Sequence, residues 1–446
     1  MSHTYKKIIR GAVSLLIVFS CMAMVASRLM AEETRVLTLE QAIEIADKQN
    51  KDIRKAKEYI TWTEGKYVEE RAAALPQFLA GAGVSRSHDK SQLVFNAYYP
   101  EVIHRNNASV SVTQALFTWG QIGAAIRAAK EGGAFAQEQL NQYRQTVQKE
   151  VTMAFYDILL ARELLELAKQ NVRQKEKHLE ESRNRLLSGV ATDYDVLAAD
   201  VALKNAKPDR IRAENLLKTA KEHLRFLLAM DKEAVDARGD LNIFYRRIPS
   251  FDEARAVAMG NRPELKAFDN RIKISEELVK IADSSDKPRV DFRGEYGWNG
   301  YNPTDMPSGD GEFWTVGVQL SFPFFDGLRT RGRVAQSKSD VRTVEIEKSK
   351  AIDSISLQLR DAIYAVNESE EIVKALSDNV TQAERLLSMA EKGYALGVKI
   401  RLEVDDAEMN LLQAKGNLSK AKRDYLSACA NLDWIMGVLS PLEKKI

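Results

Sequence analysis

The chain of 446 residues contains one unit that occurs twice, and this internal repeat limits its possible folds more than any other feature. Leu75-Pro76-Gln77-Phe78 aligns with Lys287-Pro288-Arg289-Val290, 212 residues later. Gly189-Val190 aligns with Gly397-Val398, 208 residues later. We therefore expect a first repeat at 32–245, a second at 246–437 with the same element order, and a C-terminal tail at 438–446. The offset changes because the two copies differ in length at about 85–110 and 297–317. A segment of variable length predicts a surface loop there.

Each repeat carries a long heptad pattern. Alternate steps of four and three from Val147 to Leu186 meet apolar residues everywhere except Lys175 and Ser182. The same steps 208 residues later meet only Ser369 as a polar residue. A 3.5-residue period of this length predicts left-handed supercoiled helices.

The helices are predicted to form two hairpins. No proline interrupts 121–187 or 328–396, and a helix of that length would extend about 100 Å. Each of these helices is expected to end at a glycine turn, because glycine favours the left-handed conformation of a helix cap. The chain then returns through a second helix, at 193–229 and 402–436. Pro208 and Gly416 lie at equivalent positions of the return helices and predict a bend there.

Between the helical parts, the period changes to two. Val290, Phe292, Gly294, Tyr296 and Trp298 alternate with charged or small residues, and a second alternation runs from Trp314 to Phe322. The first copy has a weaker version at 78–85 and 108–112. Strands of about ten residues suit either a half-buried soluble sheet or a tilted membrane crossing.

Closure of the sheet separates these two alternatives. Lipid does not tolerate open sheet edges, and four strands are too few for a barrel, which needs about eight. Three chains would supply twelve strands, so the membrane interpretation requires an oligomer. In that case, one face of the first strand of the second pair would face a water-filled lumen, through Arg289, Asp291, Arg293 and Glu295.

The N-terminus has the pattern of a secretory signal. Lys6, Lys7 and Arg10 precede an apolar run, and Ala31 is a suitable cleavage position, so we expect residues 1–31 to be removed. A membrane anchor is the alternative, although the run is short for a span. Cys21 lies in a weak lipoprotein-like sequence, which leaves lipidation open as well. Loss of the signal would leave Cys429 alone, so no intrachain disulfide is expected.

Composition argues against several classes of function. Lys plus Arg (65) nearly equals Asp plus Glu (63), so no basic surface for nucleic acid is expected. The five histidines form no ligand motif, and no phosphate-binding or nucleophile-elbow motif occurs. We therefore predict neither an enzyme nor a cofactor or metal site.

The combination of landmarks resembles the TolC family of outer-membrane efflux proteins over nearly the whole mature chain. It consists of the repeated first helical segment, the two strand pairs, Phe322-Pro323-Phe324-Phe325-Asp326-Gly327 after a strand, and the paired glycine turns. The resemblance implies a mainly α fold with a membrane β part. A homotrimer would form a 12-stranded β-barrel, from about 77–117 and 289–323, in outer-membrane lipid. An α-helical barrel in the periplasm would follow, from about 120–231 and 327–436.

The resemblance also implies a function and partners. The trimer would be a passive exit duct of a tripartite efflux or type I secretion system. It would dock on a periplasmic adaptor protein and an inner-membrane pump. The adaptor would contact the tip turns, Leu187, Ser188, Gly189 and Val190 in the first copy and Leu396, Gly397 and Val398 in the second.

Two further sites near the tip follow from the resemblance alone. Asp195, Tyr394 and Lys399 match residues that tether neighbouring helices and close the duct. Glu403 and Asp406 match an acidic ring at its entrance, with Glu403 replacing the usual Asp. For all five residues, the alternative is an ordinary solvated helix surface. For the chain as a whole, the alternative is a periplasmic coiled-coil scaffold or adaptor with a small soluble β-domain.

Overall fold

The computed structural model describes residues 35–88, 100, 102–230, 233–304 and 307–439. The predicted signal peptide, with Cys21, lies outside these residues. In chain order, the elements are β1 (Arg35–Leu37), α1 (Leu39–Gln49), α2 (Lys51–Ala72), β2 (Gln77–His88), β3 (Val102–Phe117), α3 (Gln121–Leu187), α4 (Asp193–Leu227), β4 (Val235–Ala237), α5 (Phe251–Asn261), α6 (Pro263–Asp283), a 3₁₀ turn (Ser284–Asp286), β5 (Arg289–Pro303), β6 (Gly309–Ser321), α7 (Arg329–Ala395) and α8 (Arg401–Ile435).

The long helices reproduce the repeat with a constant offset. Helices α3 and α7 have 67 residues each, and α4 and α8 have 35 each. Each second-copy helix begins and ends 208 residues after its first-copy counterpart. The heptad positions form the buried stripe that the sequence predicts, from Val147 to Leu179 and from Ile355 to Ala390. Helix α4 continues through Pro208, and the bend expected there stays a prediction.

Both hairpins turn through the same backbone motif. Gly189 has φ +73° and Gly397 has φ +75°, values that glycine adopts without a steric cost. The amide of Val190 donates to the carbonyl of Arg185 (2.9 Å), and the amide of Gly189 donates to that of Leu186 (2.9 Å). Val398 and Gly397 donate in the same way to Gly393 and Tyr394. This Schellman arrangement ends both helices and reverses the chain.

The chain divides into two compact units, and each unit draws on both repeats. One, the hairpin unit, contains the described residues up to 54 and those of 144–261 and 357–439. Its β1 pairs in parallel with β4. Helices α3 and α4 pack through Val172, Leu179, Leu203 and Ala206. Helices α7 and α8 pack through a corresponding cluster around Ala390 and Val404.

The other, the sheet unit, contains the described residues of 55–143 and 262–356. Its four strands are antiparallel in the order β2-β3-β5-β6, so β2 and β6 form the edges. The register aligns the apolar side chains of all four strands on one face: Ala80 lies opposite Val110, Val110 opposite Tyr296, and Tyr296 opposite Trp314. Ser111, Glu295 and Thr315 are aligned in the same way on the other face.

The predicted surface loop is wrong at 85–88, 102–110, 297–303 and 309–317, which are strands. The parts of it at 89–99, 101 and 305–306 lie outside the described residues. β2 continues to His88 and β3 begins at Val102, while β5 continues to Pro303 and β6 begins at Gly309. Pairing explains the difference, because the polar residues of β3 bond to β5, with Arg105 opposite Tyr301 and Asn107 opposite Asn299. Backbone hydrogen bonds extend the strands where the side chains show no apolar alternation.

Within the described part of the chain, none of the helices is both long and apolar enough to span a bilayer.

Candidate functional site

The tip turns present apolar side chains to solvent. Leu187 and Leu396 are 86% and 79% exposed, and Val190 and Val398 are 69% and 81% exposed. The two turns carry leucine, glycine and valine in the same order, with leucine two residues before the glycine in the first turn and directly before it in the second. Solvent-exposed apolar side chains grouped in this way are typical of a protein-binding surface.

Tyr394 lies between two arginines close to these turns. The guanidinium carbon of Arg185, on α3, lies 5.4 Å from the centre of the Tyr394 ring, and that of Arg401, on α8, lies 5.7 Å away. Arg185 also donates a hydrogen bond to the Tyr394 hydroxyl. These contacts join helices of both hairpins beside a cavity of about 510 Å³.

Asp195 and Lys399, the other two tether residues, have other partners within the chain. The Asp195 carboxylate accepts hydrogen bonds from the backbone amide and hydroxyl of Thr192, both at 2.8 Å. These hydrogen bonds cap α4 and lower the pKa of Asp195. The Lys399 ammonium lies 2.8 Å from a carboxylate oxygen of Glu403. The single chain therefore places Asp195 and Tyr394 at one cavity and pairs Lys399 elsewhere.

The two acidic entrance residues differ in their surroundings. Glu403 accepts from Lys399 and from the backbone amide of Ile400 (3.2 Å), and both hydrogen bonds lower its pKa. Asp406 is exposed on the same helix, three residues further on. Both carboxylates lie on one side of α8 because that spacing is close to one helical turn.

The structure reveals an ionic cluster that joins the two hairpins just beyond the tip. The Lys175 ammonium, on α3, donates to Glu408 at 2.9 Å and to Asp405 at 3.2 Å, both on α8. His178 Nε2 donates to the other oxygen of Glu408 at 2.9 Å. The side chains of Lys175 and Glu408 are only 8% and 6% exposed. We call Lys175, His178, Asp405 and Glu408 the seam cluster.

Glu408 stays ionised over a wide pH range. Burial alone would raise its pKa, but the hydrogen bonds from His178 and Lys175 and the charge of Lys175 outweigh burial and lower the pKa from 4.5 to about 2. Glu408 therefore supplies a negative charge to the connection between α3 and α8 at pH values well above 2.

Three members of the seam cluster have the chemistry of metal ligands. The nearest ligand atoms of His178, Asp405 and Glu408 lie within 4.8 Å of one another. The ammonium of Lys175 is already within hydrogen-bond distance of both carboxylates, and Arg401 lies 3.1 Å from Asp405. Protein cations thus neutralise the carboxylates, and a metal ion would have to displace Lys175.

The charged strand residues Arg289, Asp291, Arg293 and Glu295 share one face of β5, opposite residues such as Thr113, Gly317 and Gln319. Asp291 is 9% exposed because the Arg289 guanidinium covers it at 2.9 Å. This face is polar on the neighbouring strands too.

Sequence reasoning missed the seam cluster and the two arginines beside Tyr394. Lys175 and Glu408, like Arg185 and Tyr394, are more than 200 residues apart and meet only when the hairpins pack. Arg401 is close to Tyr394 in sequence and reaches it across the turn of the second hairpin. One signal was available, since Lys175 is the one charged residue in a heptad row that is otherwise apolar apart from Ser182. A lysine at a core heptad position indicates a buried partner.

Comparison with known proteins identifies the family. The sequence model of the family described as outer membrane efflux protein matches residues 42–230 and 255–438. The chain belongs to this family. It therefore lies in the outer membrane and forms an exit duct.

Individual relatives agree with this assignment. The chain is 24% identical to the alkaline protease secretion protein AprF of Pseudomonas aeruginosa, covering 84% of this chain and 79% of AprF. It is 23% identical to the outer membrane protein TolC of Vibrio cholerae, covering 83% and 84%.

Solved structures show the same fold. The CmeC outer membrane channel of Campylobacter jejuni superposes with a TM-score of 0.78 at 15% identity, over 92% of this chain and 90% of CmeC. The MtrE outer membrane channel of Neisseria gonorrhoeae gives 0.74 at 19% identity, over 90% and 89%. The fold class is thus that of the TolC family, mainly α with a membrane β part.

The seam cluster leads to a stability prediction. Lys175→Met should lower the free energy of unfolding by about 3 kcal/mol, because it removes the ammonium that balances the charge of the buried Glu408 carboxylate. Lys175→Met combined with Glu408→Met should recover most of that loss. Urea unfolding followed by circular dichroism measures both. Lys177→Met, two residues away with a 75% exposed side chain, is the control and should change stability by less than about 0.5 kcal/mol.

The same variants should differ in their pH dependence. Glu408 has a lowered pKa in the folded chain, so its stabilising effect is complete above about pH 4.5 and is lost as the pH falls towards 2. The stability gap between the unmodified protein and Lys175→Met should close over that range. A gap that stays constant from pH 4.5 to 2 would contradict this role of the cluster.

Proposed function

We propose that three copies of the chain assemble into one outer-membrane duct, with a 12-stranded barrel in the membrane and a helical barrel in the periplasm. The duct performs no chemistry and lets substrates leave the cell passively. It receives them from an inner-membrane pump through a periplasmic adaptor that contacts the tip turns.

The sheet unit carries this proposal. Its four strands share a continuous apolar face that is exposed to solvent in the single chain, with Trp314 at 72%, Val316 at 61% and Val318 at 63%. A soluble β-domain would have to cover such a face, whereas a membrane barrel turns it towards lipid. This observation favours the duct over a periplasmic scaffold or adaptor.

The strand edges support assembly. β2 and β6 each pair on one side only within the described residues, and unpaired backbone groups at an edge are not tolerated in lipid. Pairing β6 of one copy with β2 of the next satisfies both edges. Repeating this contact closes a ring.

The cargo belongs to one of two classes. AprF is by name a protease secretion protein, and BepC of Brucella suis, 23% identical to this chain, is an outer membrane efflux protein. We propose that this duct exports either proteins by type I secretion or small molecules by tripartite efflux.

At the tip, we propose a closed gate in which Asp195, Tyr394 and Lys399 tether neighbouring helices across the trimer. Within one chain, Arg185 already donates a hydrogen bond to the Tyr394 hydroxyl. Glu403 and Asp406 of three copies would surround the entrance as an acidic ring.

A matched pair of arginine substitutions tests the membrane face. Val316→Arg places a charge on the apolar face and should weaken insertion by about 2–4 kcal/mol, as charged residues do on the lipid side of barrels. Thr315→Arg, the adjacent residue, places the charge opposite Glu295 on the polar face and should have little effect. Urea-dependent folding into lipid vesicles measures both. Equal losses for the two variants would contradict the assignment of the faces.

The gate proposal predicts a change in conductance. Tyr394→Phe removes only the hydroxyl, and Asp195→Asn removes the charge but keeps an oxygen that can cap α4. Each should raise the resting conductance in planar bilayers, because each removes a bond that holds the tip closed. Tyr194→Phe, an exposed tyrosine at the same cavity, is the control and should leave the current unchanged. Resting current equal to that of the unmodified protein in both test variants would exclude the tether.

The ring proposal predicts the response to divalent cations. Asp406→Asn should weaken block by Mg²⁺ more than Glu403→Gln, because Lys399 already neutralises much of the Glu403 charge. Glu371→Gln, a 74% exposed residue on α7 far from the tip, is the control. Concentration series of Mg²⁺ in single-channel recordings measure block. Unchanged block in the double variant Glu403→Gln/Asp406→Asn would place the cation site elsewhere.

A further inference from the structure

A cavity of about 460 Å³ lies in the sheet unit, next to the ends of β3 and β5. The beginning of α3, the end of α6 and the beginning of α7 form its walls, and we call it the rim cavity. Its lining contains one carboxylate, that of Asp283, and four cations, Arg127, Lys280, Lys287 and Lys338. A cavity with this excess of positive charge is suited to an anionic ligand.

The nearby carboxylates neutralise only part of this charge. Glu277 is shared between two cations, since it lies 2.8 Å from Arg127 and 2.8 Å from Lys280. Lys287 pairs with its neighbour Asp286 at 3.0 Å. Lys338 is exposed and makes no ion pair within the part of the chain that the structure describes. The rim cavity therefore keeps a net positive charge.

A further arginine stands above Lys338 on α7. Arg331 lies on the same side of the helix, because seven residues make nearly two full turns. The first turn of α7 contains no acidic residue, although the positive end of the helix dipole disfavours cations there. The residue at the same position of the first copy, 208 residues earlier, is Gly123. The passage from strand to helix thus forms without this charge, which indicates a role other than folding.

Trp119 connects the rim cavity to the apolar face of the sheet. Its ring lines the cavity and lies 5.2 Å from the ring of Phe117, edge to face. Phe117 lies opposite Val290 in the sheet, and Val290 lies opposite Leu320. These three residues end the apolar face that the proposed barrel turns towards lipid. One wall of the cavity therefore continues the lipid-facing surface.

The backbone at Trp119 shows that its side chain is kept at an energetic cost. Trp119 has φ +50°, a left-handed conformation that is unfavourable for a bulky residue. The residue at the same position of the second copy is Gly327, with φ +69°, and glycine adopts such values freely. A glycine would serve the turn equally well, so the indole at position 119 has a purpose of its own. Tryptophan is enriched where a membrane protein meets the lipid headgroups.

We propose that the rim cavity binds the headgroup of an anionic phospholipid, with Lys287 and Lys338 against the phosphate and Trp119 against the glycerol and the upper part of an acyl chain. This inference rests on the proposed membrane barrel and adds a lipid site to its periplasmic rim. The strands end beside the cavity, so the headgroups of the periplasmic leaflet lie at its level. Cations close to a membrane attract anionic lipids, and the apolar wall offers a contact that free phosphate lacks.

Native mass spectrometry tests this site by counting lipids bound to the full-length protein in a neutral detergent, with phosphatidylglycerol as the probe. Lys287→Gln/Lys338→Gln should bind this lipid about 25-fold more weakly than the unmodified protein, since each cation near a lipid surface contributes about fivefold. Lys287→Arg/Lys338→Arg keeps both charges and should bind normally. Arg333→Gln/Lys350→Gln removes two exposed charges of α7 that do not line the cavity, and it should also bind normally.

Several results would overturn the lipid site. Equal weakening in Lys287→Gln/Lys338→Gln and Arg333→Gln/Lys350→Gln would show that overall charge, and not the cavity, attracts the lipid. An arginine variant as weak as the glutamine variant would exclude the role of charge. Equal affinity for phosphatidylethanolamine would exclude a preference for anionic lipid. Displacement of phosphatidylglycerol by an equal concentration of inorganic phosphate would assign the cavity to free phosphate.

These failures are separate from a failure of the proposed barrel. Lipid binding that does not depend on Lys287 and Lys338 would overturn the rim site alone, because the pair Val316→Arg and Thr315→Arg tests the barrel independently. Equal losses of membrane insertion in that pair would overturn the barrel and the lipid site together.

Discussion

The unpaired edges of the four-stranded sheet are the constraint on which the rest of the molecule depends. Each chain carries strands with one apolar face, yet β2 and β6 leave backbone groups without partners inside the described sheet. A membrane protein cannot leave such groups in lipid, so the strands are only useful as part of a closed ring. Duplication within the chain and association of copies are two steps towards the same closure.

The helical part also has surfaces that must be covered, and side-chain packing covers them. The heptad stripe pairs α3 with α4 and α7 with α8, and each pair still has an outer face to cover. One of these faces is covered within the chain, where the seam cluster holds α3 to α8. The outer faces that stay exposed in the single chain are left to neighbouring copies in the proposed trimer.

Local signals in the sequence predicted the helices well and the strands less well. The 3.5-residue period and the glycine turns placed α3 at 121–187, as observed, because both signals depend on neighbouring residues only. The polar half of β3, with Arg105 and Asn107, carries no such signal, and only its pairing with β5 makes it a strand. The contacts of Tyr394 and Glu408 were out of reach for the same reason, since they depend on how separate hairpins pack.

The seam cluster limits how the two hairpins of one chain can move relative to each other. Sliding α8 along α3 by one turn would separate Glu408 from Lys175 and leave a buried carboxylate among apolar heptad residues, at a cost of about 3–5 kcal/mol. The two hairpins of each chain should therefore keep their register and move together in any opening motion at the tip.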